Sequence, residues 1–288
     1  GFAAKVEDEW SHIKDSPTRL TQEAIEQFKG YFTEPDYQQV PDVKDALATQ
    51  RFENREFDQW ISHNVDTHKN PGYAIVTLTM KKTGTPPGDV SDRQLEQIAD
   101  LADQYSFGEV RVTHQQNVVL ADVRKDQLFE LWQAITPMDF ATANLNTLTD
   151  VICCPGGDYC ALANAKSIPV AESIQRQFDD MDYLYDIGNI DLNISGCMNA
   201  CGHHHVGNIG VLGVDKKGQE FYQISLGGSS HHDAAIGKIL GPSFAREDMP
   251  EVMQKIINVY VDNRTEEEPF LDTYRRIGIE PFKERVYA

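Results

Sequence analysis

Five cysteines carry the chemistry of this chain. Cys153, Cys154, Cys160, Cys197 and Cys201 all lie between residues 151 and 213, and the rest of the 288 residues contain none. Thiols that served only to fill a core would be scattered, so two tight groups separated by one intervening segment point to a bound inorganic group. The spacings are Cys154-x5-Cys160 and Cys197-x3-Cys201, within the strings Cys-Pro-Gly-Gly-Asp-Tyr-Cys and Ser-Gly-Cys-Met-Asn-Ala-Cys-Gly. Four thiolates suit zinc or an iron–sulfur cluster, both soft enough to prefer sulfur. The first spacing favours the cluster. Structural zinc usually takes a pair from a knuckle of roughly two to four intervening residues, and five is wide for that turn. A cubane is bulkier than one ion and fits wider loops.

With Pro155 and Gly156 after the first of these thiols, Ser195 and Gly196 before the third, and Asn199 inside the second pair, the signature resembles that of the sirohaem-containing nitrite and sulfite reductases. The resemblance implies a [4Fe-4S] cluster held by Cys154, Cys160, Cys197 and Cys201, with Asn199 beside the cofactor. It also implies that Cys201 doubles as the axial ligand of the sirohaem iron. The five-residue gap to Cys160 then selects Cys154 as the first ligand. Cys153 stands where the family usually has a small residue, so it is expected to pack as a small apolar side chain. Met198 replaces a proline often found there.

Composition bounds the rest. Apolar residues make up 40% and charged residues 25%, as in soluble globular proteins, and the length allows one or two domains. No run of about 18 apolar residues predicts a membrane span. The start, Gly-Phe-Ala-Ala-Lys, has no apolar signal core, and Gly1 reads as the scar of a piece cut from a longer protein. Thiolate ligation needs reduced cysteines, which fits the cytoplasm. A net charge of −19 repels nucleic acid and anionic membranes, so neither is an expected partner. The charge also conflicts with the resemblance, because a cofactor rich in carboxylates and a small anionic substrate both call for Lys and Arg. Between Cys154 and Gly213 the basic residues are Lys166, Arg176 and the histidines 203, 204 and 205. Either distant residues or another polypeptide must supply the positive charge.

The elements that would position the cysteines follow from periodicity. Residues 1–60 read as an arm and linker with a helical pattern at Leu20, Ala24, Ile25 and Phe28. Residues 73–81 read as a strand and 84–88 as a loop. Ser91 and Gln94 form a capping box for a helix with Leu95, Ile98, Leu101 and Tyr105 on its apolar face. Strands at 109–113, with Val110 and Val112 sharing a face, and at 117–123 precede a helix bearing Leu128, Leu131, Trp132 and Ile135. Strand, helix, strand, strand, helix is a ferredoxin-like order. After Cys160 a helical stretch to residue 180 is predicted to be broken by Pro169 into a short and a longer piece. Ile190, Leu192 and Ile194 alternate into a strand ending at the third ligand, and 208–214 and 221–226 read as two more. Glycines surround the cysteines, as expected where backbone approaches a bulky group. A helix with Met249, Val252, Met253, Ile256, Ile257 and Tyr260 on one face closes the tail. The fold class is α+β: a ferredoxin-like lobe at 61–145, then an α/β cluster-binding lobe at 146–288.

Three further features bear on function. Adjacent residues cannot all face one metal, so His203, His204 and His205 read as neutral hydrogen-bonding or carboxylate-facing side chains. His231 and His232 follow a glycine–serine loop and read as exposed. Arg111-x-Thr113-x-x-Gln116-Asn117 is weak alone, but each half of the duplicated family chain carries a version of it, and this one resembles the second-half copy facing an inactive pseudo-site. No catalytic residue is therefore assigned. The resemblance covers the second half of the longer reductases, from about Gly72 onward. It implies six-electron reduction of sulfite to sulfide or nitrite to ammonia, with a flavoprotein or ferredoxin as donor and little activity for this chain alone. Other readings are a non-catalytic iron–sulfur electron-transfer subunit and, more remotely, a structural zinc domain.

Overall fold

A computed structural model describes every residue except Thr18. The chain divides into two compact units, residues 1–39 and 40–288. The first contains α1 (Phe2–Ile13) and α2 (Gln22–Lys29), the latter capped by Thr21, whose hydroxyl accepts from Ala24 N at 3.1 Å. Phe2, Val6, Trp10 and Ile13 recur at helical spacing on α1, yet neither helix has a buried residue.

The second unit begins with α3 (Lys44–Glu53) and α4 (Arg55–Asn64). Helix α4 straddles residue 60, the expected end of the arm, and sends Phe57 and Trp60 fully into the core. There Phe57 meets Phe129 edge-on with ring centroids 5.0 Å apart, a geometry that adds about 1 kcal/mol to area burial. Strands β1 (Val65–Thr67), β2 (Tyr73–Leu78), β3 (Arg111–Val112) and β4 (Val118–Arg124) form an antiparallel sheet in the order β1-β2-β4-β3. Between β2 and β3 lies α5 (Asp92–Tyr105), and α6 (Leu128–Ile135) follows β4. The ferredoxin-like order is thus present, with β1 added at one edge. Both bonds of the Ser91–Gln94 capping box form.

Three details of this lobe depart from expectation. Leu95 is 55% exposed, so the buried face of α5 is Ile98, Leu101, Ala102 and Tyr105. Strand β2 stops at Leu78 rather than 81 because the next backbone groups bond elsewhere: Thr79 N to Phe140 O at 3.2 Å and Met80 N to Asn117 Oδ1 at 3.0 Å. Strand β3 is an edge of two residues, and Val112 is 85% exposed.

The second lobe is a five-stranded mixed sheet in the order β5-β6-β7-β8-β9, with β5 (Ile152–Cys153), β6 (Leu192–Ser195), β7 (Ile209–Lys216), β8 (Gln219–Leu226) and β9 (Lys238–Ile239). Strands β5, β6 and β7 run parallel; β7 and β8 form a hairpin turning at Lys217 and Gly218, both with positive φ. Helices α7 (Gly156–Tyr159), α8 (Ile168–Gln177) and α9 (Met181–Ile187) cross from β5 to β6. Residues 161–167 are not helical, and Pro169 sits in the first turn of α8. Proline therefore starts this helix instead of breaking one, because its missing N–H is among those a first turn leaves unbonded anyway. Helix α10 (Met249–Asn263) buries Met249, Val252, Met253, Ile256, Ile257, Val259 and Tyr260, each large aliphatic contributing roughly 1.5–3 kcal/mol before entropy. The tail does not close there. Helices α11 (Phe270–Ile277) and α12 (Glu280–Tyr287) add Phe270, Tyr274, Phe282 and Val286 to the same core.

Candidate metal centre

The carboxyl ends of parallel strands β5 and β6 carry the first and third thiols of the signature, a place where α/β sheets commonly bind ligands. Cys154 follows β5 directly, and Cys197 follows β6 by one residue beyond Ser195. The two cysteine loops are tied to each other. Cys154 N donates to Ile194 O at 3.1 Å, and Gly196 N donates to Cys154 Sγ at 3.1 Å. Asn164 N and Ala165 N both donate to Gly196 O, at 2.9 and 3.0 Å, and Gly157 N reaches Ala165 O at 2.9 Å. Ser167 Oγ stands 3.4 Å from Cys154 Sγ. The first loop is thus laid against the second, and thiols distant in sequence belong to one neighbourhood.

The second loop is held in backbone conformations that ordinary residues avoid. Ala200 and His203 take φ of 57° and 55° on either side of Cys201 and Gly202, which costs on the order of 1–2 kcal/mol each. Ala200 N bonds Cys197 O at 3.1 Å, and His203 N bonds Ala200 O at 2.8 Å. Gly202 N donates to Ser195 Oγ at 3.1 Å, so close that a Cβ on Gly202 would lie 2.1 Å from Ile194 O. Strain of this kind persists where the surrounding structure fixes it, commonly at functional sites.

The cysteines differ in environment. Cys153, Cys154 and Cys197 are buried, Cys160 is half-buried and Cys201 is exposed. Cys153 belongs to the hydrophobic core, and its Sγ donates to Cys154 O at 3.2 Å. Burial pushes the Cys153 thiol well above its usual range, with the neighbouring Cys154 adding to the effect. Asn199 and Met198 are both exposed on the turn between Cys197 and Cys201. Among the described residues, no three His, Cys, Asp or Glu side chains sit at single-ion spacing.

A cleft of about 550 Å³ is lined by His114, Gln115, Ile152, Asp191, Asn193, His203, Val206, Ser230 and His231. Burial raises the Asp191 carboxyl, partly offset by His231, whose Nε2 lies 3.5 Å away. His204 is buried with its Nδ1 lacking a partner, and burial, helped by His205, lowers its pKa to about 4. It is therefore neutral, as expected, but without the hydrogen bond expected at that nitrogen. His231 and His232 are exposed.

Four thiols on two interlaced loops, with glycines where a side chain would collide, fit an iron–sulfur cluster. The same residues do not by themselves fit sirohaem. Lys166 pairs with Asp158 and Arg176 with Glu172, each at 2.8 Å, and the cleft lined by His203 presents the Asp191 carboxylate. Carboxylates of a bound tetrapyrrole would meet no uncommitted Lys or Arg from this segment.

Residues 75–138 match the family described as the nitrite/sulfite reductase ferredoxin-like half domain, and residues 145–288 match the nitrite and sulphite reductase 4Fe-4S domain. The chain belongs to the nitrite and sulfite reductase family. It is 31% identical over 180 residues to a ferredoxin–nitrite reductase of Synechococcus elongatus, covering 60% of this chain and 34% of that one. An assimilatory-type sulfite reductase of Nitratidesulfovibrio vulgaris is 23% identical over 214 residues, covering 74% of this chain and 92% of the relative. The fold is shared with the Mycobacterium tuberculosis NirA protein at a TM-score of 0.63 and 23% identity, over 76% of this chain and 41% of that one. The chain thus spans about a third of the length of the nitrite reductase it matches. No helix among the described residues is long and apolar enough to cross a membrane.

Proposed function

We propose that this chain is the cluster-bearing half of an assimilatory-type sulfite or nitrite reductase. Cys154, Cys160, Cys197 and Cys201 would hold a [4Fe-4S] cluster with Asn199 beside the cofactor, and Cys201 would also be the thiol offered to a sirohaem iron once Lys and Arg from elsewhere complete that cofactor's site. The arm at 1–60 precedes the ferredoxin-like lobe at 61–145 and the cluster lobe at 146–288, and the protein works in the cytoplasm. The observation that carries this reading is the bond from Gly196 N to Cys154 Sγ, which joins the two cysteine loops. The exposure of Cys201, beside a half-buried Cys160 and buried Cys154 and Cys197, supports its being the shared thiol. When bound, sirohaem supplies the iron at which sulfite is reduced to sulfide or nitrite to ammonia by six electrons from a ferredoxin or flavoprotein. This chain's own part is to hold the cluster, and Lys and Arg from elsewhere meet the cofactor and the anion.

An absorption spectrum of anaerobically purified protein tests the reading: sirohaem bands support it in full. A cluster shoulder alone supports the second reading, an iron–sulfur electron-transfer subunit, which the scarcity of uncommitted cations favours. A colourless chain sinks both. In the complete protein, Cys201→Ser should disturb the haem iron's ligation and its magnetic coupling to the cluster by paramagnetic resonance. If Cys160→Ser abolishes that coupling while Cys201→Ser preserves it, the bridge is assigned to the wrong thiol.

A further inference from the structure

The segment from Arg111 to Asn117 is not absorbed by the cysteine site, yet it touches it. Strands β3 and β4 are joined by a tight turn in which Thr113 N donates to Asn117 O at 2.9 Å, Gln116 N to Thr113 O at 3.2 Å, and Asn117 N to Thr113 Oγ1 at 3.1 Å. The turn places Gln116 at φ 59°, and the end of its side chain reaches across to the second lobe. Gln116 Nε2 donates to Cys153 O at 2.8 Å, and Gln116 Oε1 accepts from Cys153 N at 2.8 Å.

Strand β5 is an edge of its sheet, so the outward backbone groups of Cys153 would otherwise lack a strand to pair with. The amide of Gln116 takes that strand's place with one donor and one acceptor. The next residue, Cys154, turns its own N–H inward to Ile194 O. Cys154 is therefore gripped on both sides, from β6 directly and from the other lobe through Cys153. The glutamine is itself enclosed: a Cβ on Gly88, which has φ 81°, would lie 2.9 Å from Gln116 Cβ. Asn117 anchors the same turn, accepting from Met80 N at 3.0 Å and donating to Asp150 Oδ1 at 3.0 Å. Asp150 also takes the Lys81 ammonium at 3.1 Å, a buried pair. The turn is a rigid mount for the amide.

We propose that Gln116 is a positioning residue for the iron–sulfur cluster: through Cys153 it fixes the Cys154 thiolate, and so governs how tightly the cluster is held and at what potential it is reduced. The inference rests on the cluster reading given above. Groups one bond removed from a metal's ligands orient them, and losing one typically costs about 10–100-fold in metal affinity. Hydrogen bonding and geometry around the thiolates also set the potential of a cluster.

The test uses the whole chain, reconstituted anaerobically with iron and sulfide. Wild-type protein that takes up no cluster sinks the cluster reading, and this inference with it, before any variant is made. Given a loaded wild type, Gln116→Ala should lose iron to a chelator roughly tenfold faster or more and shift the cluster's midpoint potential, in line with the usual cost of such losses. Gln116→Glu matches the shape but keeps only the acceptor, so it should fall between the two, and it decides the matter if the alanine variant does not fold. Val112→Ala, on the same edge strand but exposed, should match wild type. Iron release and potential unchanged in the folded glutamine variants, or changed equally in Val112→Ala, would overturn the assignment.

Discussion

The difference between neighbouring thiols Cys153 and Cys154 is set by direction. One points into the apolar core, where burial keeps it protonated, and the other receives the N–H of Gly196 from the opposite loop. Cys153→Ser should therefore retain a full complement of iron, while Cys154→Ser, Cys160→Ser and Cys197→Ser each lose it, measured as iron per chain after anaerobic reconstitution. The reverse order for Cys153 and Cys154 would move the first ligand by one residue. His204 makes a second prediction at this scale. Its pKa falls to about 4 on burial, below the ordinary 6.5, so the unfolded chain binds more protons between those values. The neutral ring's contribution is complete above pH 6.5 and is lost as pH falls toward 4, by about 3 kcal/mol at most. Denaturant melts of wild type and His204→Gln at pH 7 and 4.5 should show the variant losing less stability on acidification. Equal losses would mean His204 is not held neutral in the folded state.

At the scale of elements, the cysteine loops are positioned by strand ends and by the absence of side chains. Gly202 packs against the last carbonyls of β6, at a separation no Cβ tolerates. Gly202→Ala should push the 197–201 turn away from β6 while α8, α10 and the sheet, whose core lies on other residues, remain folded. The expected result is near-native far-ultraviolet circular dichroism with most of the cluster lost. A Gly202→Ala chain that binds iron as wild type does would show that the turn is not held where the packing places it. The same logic explains why strained φ values at Ala200 and His203 flank Cys201: the turn is pinned from both ends by bonds to Cys197 and Ser195.

For the whole molecule, charge decides what the chain does alone. Its net charge is −19, and the two basic side chains of the cysteine region are committed to Asp158 and Glu172. A small anion and a carboxylate-rich cofactor then lack the positive field that holds them. The isolated, cluster-loaded chain is expected to show little or no sulfite or nitrite reduction with an artificial electron donor. Adding a polypeptide that carries the missing Lys and Arg should raise the rate. The assimilatory-type sulfite reductase that this chain covers over 92% of its length marks the opposing outcome, in which robust turnover by the chain alone would mean that these two domains suffice.

Much of this was legible from local chemistry. The α5 cap follows from Ser91 and Gln94, strand β6 from the alternation of Ile190, Leu192 and Ile194, and β7 and β8 from their apolar runs, because each depends on residues close in sequence; the two-residue strands β5 and β9 left no such run. Helices α11 and α12 escaped because eight-residue helices are marginal alone and owe their form to Phe270, Tyr274, Phe282 and Val286 docking on a distant core; prolines at 269 and 281 before i, i+4 apolar pairs were the available signal. Pro169 is ambiguous in one dimension, since the same ring breaks a helix or begins one, and only the position of the preceding chain decides. Leu95 fits the periodicity of α5 yet faces water, because pattern specifies a face but packing fixes its width. The Gln116 clamp had no local signature at all. It joins residues 37 apart through a side chain acting as a strand, and such a contact exists only once the two sheets are packed together.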